Sequence, residues 1–263
     1  MAILTLDQYI ASNKQLINYY KTVSIAATAA TRTSIYQSAG SPGAGTLAGA
    51  NLTSGTLITA GTVGFPLITT YTGSYYLSRV SLSNSVSSNI IIQDLIYKAG
   101  SYAFNAAQTL TTQPSISGRV PGGTDYSGVS MYFECVTAFT GIPTLTVTYT
   151  NQSGVAGRTS GAVSLGVAPI VGKLVALTLQ AGDTGVQKVE SVTCTVATVG
   201  TFNILLVRDL YMGRIPLLNG SVSEGLDRVG LPEIFLTSAL NVVSIPDGAA
   251  SGVPSGYFEI ASG

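Results

Sequence analysis

From residue 64 onward the chain is a succession of short alternating or β-branched runs separated by Gly, Pro, Asn and Asp, a punctuation that allows strands but no long helix. The spacing predicts strands at Leu67–Tyr71, Leu77–Ser83, Ile90–Tyr97, Val129–Thr137, Thr144–Thr150, Leu174–Leu179, Val189–Val196, Phe202–Tyr211, Leu240–Ile245 and Tyr257–Ile260. The clearest is Leu145-Thr146-Val147-Thr148-Tyr149-Thr150, where apolar residues share one face and threonines the other. After residue 30 the only helical signal is a possible turn at Ser223–Val229. An all-β body is expected.

Within that succession the order of landmarks recurs. Ser78–Val86 followed by Asn89–Tyr97 lines up with Glu190–Val196 followed by Asn203–Tyr211, which places Asp94 beside Asp209. Upstream, Pro66–Gly73 resembles Lys173–Gly182; downstream, Met131–Val136 and Gly141-Ile142-Pro143 resemble Leu240–Ile245 and Gly252-Val253-Pro254. The reading is a duplicated β-sandwich, jelly-roll-like, with one unit over residues 57–155 and a second over 160–263.

Residues 1–60 differ in character. Thr5 and Gln8 have the spacing of a capping box, and Leu6, Tyr9, Ile10, Leu16, Ile17 and Tyr20 fall near a 3.6-residue period. This predicts an amphipathic helix over residues 6–21, or two short ones broken at Ser12-Asn13, with a stripe that docks on its own domain or on a partner. Residues 24–64, rich in Ala, Thr, Ser and Gly yet carrying Ile25, Ile35, Tyr36 and Leu47, read as an extended arm that orders against a surface.

Composition then narrows the function. Twelve Lys+Arg balance 12 Asp+Glu, so no basic face exists for nucleic acid or anionic lipid, and neither partner is expected. With no His, imidazole acid–base chemistry and a Ser-His-Asp nucleophile are excluded. Cys135 and Cys194 sit in strand-like runs without metal-ligand spacing, and are read as reduced core thiols. The apolar window 165–179 is broken by Pro169, Gly172 and Lys173, and Val23–Ala30 is short with no compact basic start, so neither a spanning helix nor a signal peptide is expected. Asp94 and Asp209 invite a paired-carboxylate reading, but an acid late in an apolar strand commonly ties down a turn, and that is the expectation here. The Gly122-Gly123 loop lacks the G-K-[ST] of a phosphate cradle, and Asn151–Gly154 and Gln180–Gly185 lack calcium-loop spacing. No enzyme activity, cofactor or metal is expected.

The stretches Val120–Tyr126, Val136–Gly141 and Val196–Asn203, with the Ser/Thr/Gly-rich uncharged character of the whole, resemble virion structural proteins of tailed bacteriophages. What the resemblance implies is a capsid decoration or cement protein located on the capsid surface of the virion. It would bind the major capsid protein or another virion protein as a homo-oligomer; the competing roles are a tail-tube or fibre component and a carbohydrate-binding module. The residues expected to touch a partner are Leu6, Tyr9, Ile10, Ile17 and Tyr20 of the N-terminal stripe and Arg119, Asp125 and Tyr126 of the densest polar loop.

Overall fold

The structure, a computed structural model, describes residues 3, 5–104, 107–166, 170–195 and 198–263. Val196, the last residue of one expected strand, its neighbour Ala197, and residues 167–169 of the apolar window lie outside it.

The chain is all-β, built as sandwiches. Nine principal strands are β1 (Asn13–Lys21), β2 (Tyr75–Ser83), β3 (Ser88–Ala103), β4 (Val129–Thr137), β5 (Thr144–Asn151), β6 (Val186–Cys194), β7 (Thr201–Ile215), β8 (Leu240–Pro246) and β9 (Ser255–Ser262). Among the described residues two α-helical segments occur, both short: α1 (Leu6–Ala11) and α2 (Leu226–Val229), the latter at the turn expected from Ser223 to Val229. The strand Leu174–Ala176 is shorter than expected, and residues 67–71 form no strand.

The strands form two compact units, each with its own core. Unit 1 comprises Met1–Gly45, Thr59–Asp94 and Leu210–Gly263; unit 2 comprises Thr46–Ile58 and Leu95–Asp209. In unit 1 one sheet runs Ser221–Glu224, β2, β9, β1, Gly40–Ser41. Facing it, β8 pairs antiparallel with β3, Leu240 opposite Asp94 through Pro246 opposite Ser88. Between them lie Ile17, Tyr19, Leu77, Val80, Leu82, Ile90, Ile92, Val242, Phe258 and Ile260. In unit 2 one sheet runs Arg158–Thr159, β5, β6, Gln108–Thr109, and the other contains Leu174–Ala176, β4 and β7. Its core carries a cluster of aromatic rings, with Phe104 at 4.7 Å from Phe202 and Phe133 at 5.3 Å from Phe202, centroid to centroid.

This division departs from the expected consecutive units 57–155 and 160–263. Strands that correspond in sequence do have corresponding partners: β2 pairs with β9 as β6 pairs with β5, and β3 pairs with β8 as β7 pairs with β4. The partner in each case comes from the other half of the chain. The physical reason is that β3 and β7 are long enough, at 16 and 15 residues, to leave one core and enter the other.

The N-terminus also departs from expectation. The capping box is present, with Thr5 Oγ1 accepting from Gln8 N at 3.2 Å and Gln8 Oε1 accepting from Thr5 N at 3.0 Å, but the helix ends at Ala11. Ser12 is extended, and residues 13–21 form β1 rather than a helical continuation. Ile17, Tyr19 and Lys21 alternate inward there, and ladder bonding to β9 satisfies the backbone while burying Ile17 and Tyr19. Residues 1–60 are therefore no detached arm: Ile35 belongs to the core of unit 1, and Asn51–Leu57 pairs with β3 in unit 2.

Candidate interaction surface

Unit 1 holds α1 on its sheet through one tyrosine. Tyr9 Oη donates to Glu259 Oε1 at 2.6 Å, and Ser78 Oγ donates to the same oxygen at 2.8 Å. Burial, reinforced by the Glu259 carboxylate, pushes the Tyr9 phenol above its ordinary value. Lys14 Nζ caps the end of the helix by donating to the Tyr9 and Ile10 carbonyls at 2.8 and 3.3 Å. With Tyr9 turned to the sheet, Leu6 and Ile10, one turn apart, point outward at 62 % and 65 % exposure.

β1 exposes two further apolar side chains by its alternation. Leu16 is 61 % and Tyr20 47 % exposed, while Ile17 and Tyr19 turn into the core. Beside β1 lies a cleft of about 440 Å³ lined by Ile17, Asn18, Ser41, Pro42, Phe65 and Leu67. Gln15 ties residues 67–69 alongside the strand, accepting from Thr69 N at 2.8 Å and donating to Leu67 O at 3.3 Å. Under the strand end, buried Lys21 donates to the Ser38 and Pro42 carbonyls at 3.0 and 2.9 Å, and burial lowers its amine to about 8.

Four of the expected contacts thus gather in one segment of unit 1: Leu6, Ile10 and Tyr20 exposed, Tyr9 half-buried and engaged with Glu259. Ile17 is a correction, because the strand register sends it into the core. So is Arg119: it is 3 % exposed in unit 2, with Nη1 donating to Ile58 O at 2.7 Å and Nη2 to Leu95 O at 3.4 Å, and it braces backbone rather than meeting a partner. Asp125 is exposed and accepts from Ser127 N at 3.0 Å, and Tyr126 packs half-buried on the unit 2 core. Leu16 and Leu67, exposed at the same strand and cleft, were not among the residues expected to touch a partner. The signal for Leu16 is the period-two alternation of residues 15–20; Leu67 has none, because its run reads as a strand that the structure does not form.

Two of the remaining acids, Asp94 and Asp183, hold turns. Asp94 is buried in unit 1 and holds the turn before β8, accepting from Ser238 Oγ at 2.8 Å and Ala239 N at 3.0 Å, as expected of an acid that ties a turn. Asp209 belongs to unit 2 and is exposed. Asp183 joins the turns of unit 2 by accepting from Arg158 Nε at 2.9 Å, Tyr149 Oη at 2.7 Å and Asn151 Nδ2 at 2.7 Å; Arg158 holds its carboxyl well down, at about 2. Cys135 and Cys194 form no disulfide, and burial raises both thiols. Unit 2 presents an outward row of hydroxyls across four strands, with Thr159 opposite Thr148, Thr148 opposite Ser191 and Ser191 opposite Thr109. Among the described residues no group of three His, Cys, Asp or Glu is placed to hold a metal ion, and no helix is long and apolar enough to cross a membrane.

No protein-family model matches the chain, and no curated protein matches it significantly. Among solved structures, the Gt strain of infectious bursal disease virus is matched over 95 % of this chain and 81 % of that chain at 10 % identity, with a TM-score of 0.16. The VP2 subviral particle of the same virus is matched over 95 % and 80 % at 11 % identity, with a TM-score of 0.17. Scores this low carry no argument for a shared fold or role.

Proposed function

We propose that the chain is a virion structural protein acting by binding alone, as a capsid decoration or cement protein that clamps neighbouring capsomers through the face formed by α1 and β1. The observation that carries the reading is the exposure of four large apolar side chains, Leu6 and Ile10 on α1 and Leu16 and Tyr20 on β1, with α1 tied to the sheet by Tyr9–Glu259 and β1 by its ladder to β9. Burying such side chains in a contact yields about 1.5–3 kcal/mol each for the best-seated ones, and a repeated shell multiplies modest contacts by avidity. Zero formal charge fits a contact made of apolar and neutral hydrogen-bonded groups, which salt screens poorly.

The test is add-back to particles stripped of the protein, with wild type and with Ile10→Glu and Leu16→Glu. Wild type is expected to bind in high salt and to restore resistance to heat and osmotic stress, and both variants to bind at least tenfold more weakly with unchanged folding. Equal binding by the variants refutes the face; equal robustness of particles with and without the protein refutes cementing and leaves the tail or fibre role. The hydroxyl row of unit 2 favours carbohydrate binding as the second reading, and a glycan array tests it.

A further inference from the structure

Unit 2 buries a lysine, a glutamate and an asparagine together, from three strands. Lys98 on β3 is 8 % exposed, and Glu134 on β4 and Asn203 on β7 are 0 % exposed and face each other in the ladder. The amide of Asn203 is fixed from both ends. Its Nδ2 donates to Glu134 Oε2 at 2.8 Å and to Leu47 O at 2.7 Å, and its Oδ1 accepts from Gly49 N at 3.0 Å. Lys98 Nζ donates to the same Leu47 oxygen at 3.3 Å and to Thr46 O at 2.8 Å, so the amine and the amide nitrogen lie within about 6 Å of each other. Gly49 and Gly100 wall the amide: a Cβ on Gly49 would stand 2.8 Å from Asn203 Oδ1, and one on Gly100 closer still. Burial lowers the Lys98 amine, against the opposing pull of Glu134, and so favours the neutral, nucleophilic form.

We propose that Lys98 and Asn203 close an intramolecular isopeptide bond, with Glu134 as the proton carrier. Glu134 takes a proton from the Lys98 ammonium, and the freed Nζ lone pair adds to Asn203 Cγ. Negative charge gathers on Oδ1, where the Gly49 N–H already donates, as an oxyanion donor should. Collapse breaks Cγ–Nδ2, and Glu134 returns the proton to Nδ2, which departs as ammonia. Nζ sheds two protons in all; one reaches Nδ2 through Glu134 and the other leaves with the ammonia as ammonium. One amide is exchanged for another, so no oxidant, reductant or metal is consumed. The enclosed site supplies proximity and excludes the water that would compete for Cγ. The product ties β3 covalently to β7, whatever the partner of unit 1.

The experiment is mass spectrometry of the intact folded protein and of its proteolytic digest. Expected is a wild-type chain lighter than its sequence by one ammonia, with the Lys98 and Asn203 peptides joined, and separate peptides at full mass from Lys98→Arg and Glu134→Gln. Separate wild-type peptides after prolonged incubation overturn the bond, and a joined pair in Glu134→Gln overturns the role of that carboxylate. Should Glu134→Gln not fold, Asn203→Asp keeps the question open to measurement: the same pair is expected with loss of water instead of ammonia, and separate peptides refute the proposal.

Discussion

Tyr19 gives the sharpest test of whether β1 is core or attachment. Its side chain is 1 % exposed, its ring lies 5.5 Å from Phe258, and Lys21 Nζ stands 5.4 Å from its centroid. Its buried hydroxyl has no hydrogen-bond partner among the described residues. The ring and the hydroxyl therefore act in opposite directions. Leaving a polar group buried and unpaired costs about 1–3 kcal/mol, so Tyr19→Phe, which keeps the ring, the Phe258 contact and the lysine over its face, is expected to stabilise the protein. Allowing for the small void left by the oxygen, the gain is about 1 kcal/mol, read as a rise in midpoint of roughly 2–4 °C for a chain of this size. Truncating a buried aromatic ring to alanine costs about 3–5 kcal/mol. Relief of the hydroxyl offsets part of that, so Tyr19→Ala is expected to lose about 2–4 kcal/mol. Urea unfolding followed by circular dichroism measures both, and hydrogen exchange of peptides from β1 and β9 assigns the change to unit 1. A Tyr19→Phe protein less stable than wild type by a kilocalorie would show that the hydroxyl is paired; a Tyr19→Ala protein as stable as wild type would remove β1 from the core.

Deleting residues 1–22 takes out β1, and unit 1 is expected to lose its cooperative unfolding and its solubility while slow-exchanging amides persist in β4, β5 and β6; a truncated chain with intact protection in β2 and β9 refutes the strand assignment. Asp183 has a folded value near 2 against an ordinary 3.8, so its contribution is complete above the ordinary value and is lost as pH falls through about 2. Exchange in the turns around residues 151–158 and 180–185 should accelerate across that window in wild type, and Asp183→Asn should exchange fast at all pH values. With Cys135 pushed up to about 12 and Cys194 to about 11, both thiols should resist alkylation near pH 8 until urea unfolds unit 2; rapid native labelling at Cys135 contradicts its burial. Arg119→Ala leaves the Ile58 and Leu95 carbonyls without their guanidinium and is expected to cost about 1.5–3 kcal/mol in urea unfolding, whereas Asp125→Ala at the exposed end of the same loop should change stability by less than about 0.5 kcal/mol.

Most strands were legible because their signal is local. The alternation in Thr144–Asn151 and the β-branched runs of Val129–Thr137 and Leu240–Pro246 fix inward and outward faces without reference to a partner. The capping box at Thr5 and Gln8 is equally local, and it formed. The turn role of Asp94 was legible only in outline: the acid stands midway along β3, and the turn that it holds, at Ser238 and Ala239, leads into the neighbouring strand β8.

What needed the tertiary structure was every choice between two allowed partners. Leu16, Ile17, Tyr19 and Tyr20 satisfy a helical stripe and a strand alternation alike; the open edge of β9 decided for the strand, and with it buried Ile17 and exposed Leu16. The recurring landmarks did not say which strands pair, because a strand carries the same face whichever neighbour bonds to its edge. Arg119 looked like a surface charge, and two of the groups that hold it, the carbonyls of Ile58 and Leu95, are backbone acceptors with no sequence signature. For the same reason nothing in the sequence joins Lys98, Glu134 and Asn203: periodicity sets which way a side chain points along its own strand, and only the pairing of β3, β4 and β7 within unit 2 brings the three together.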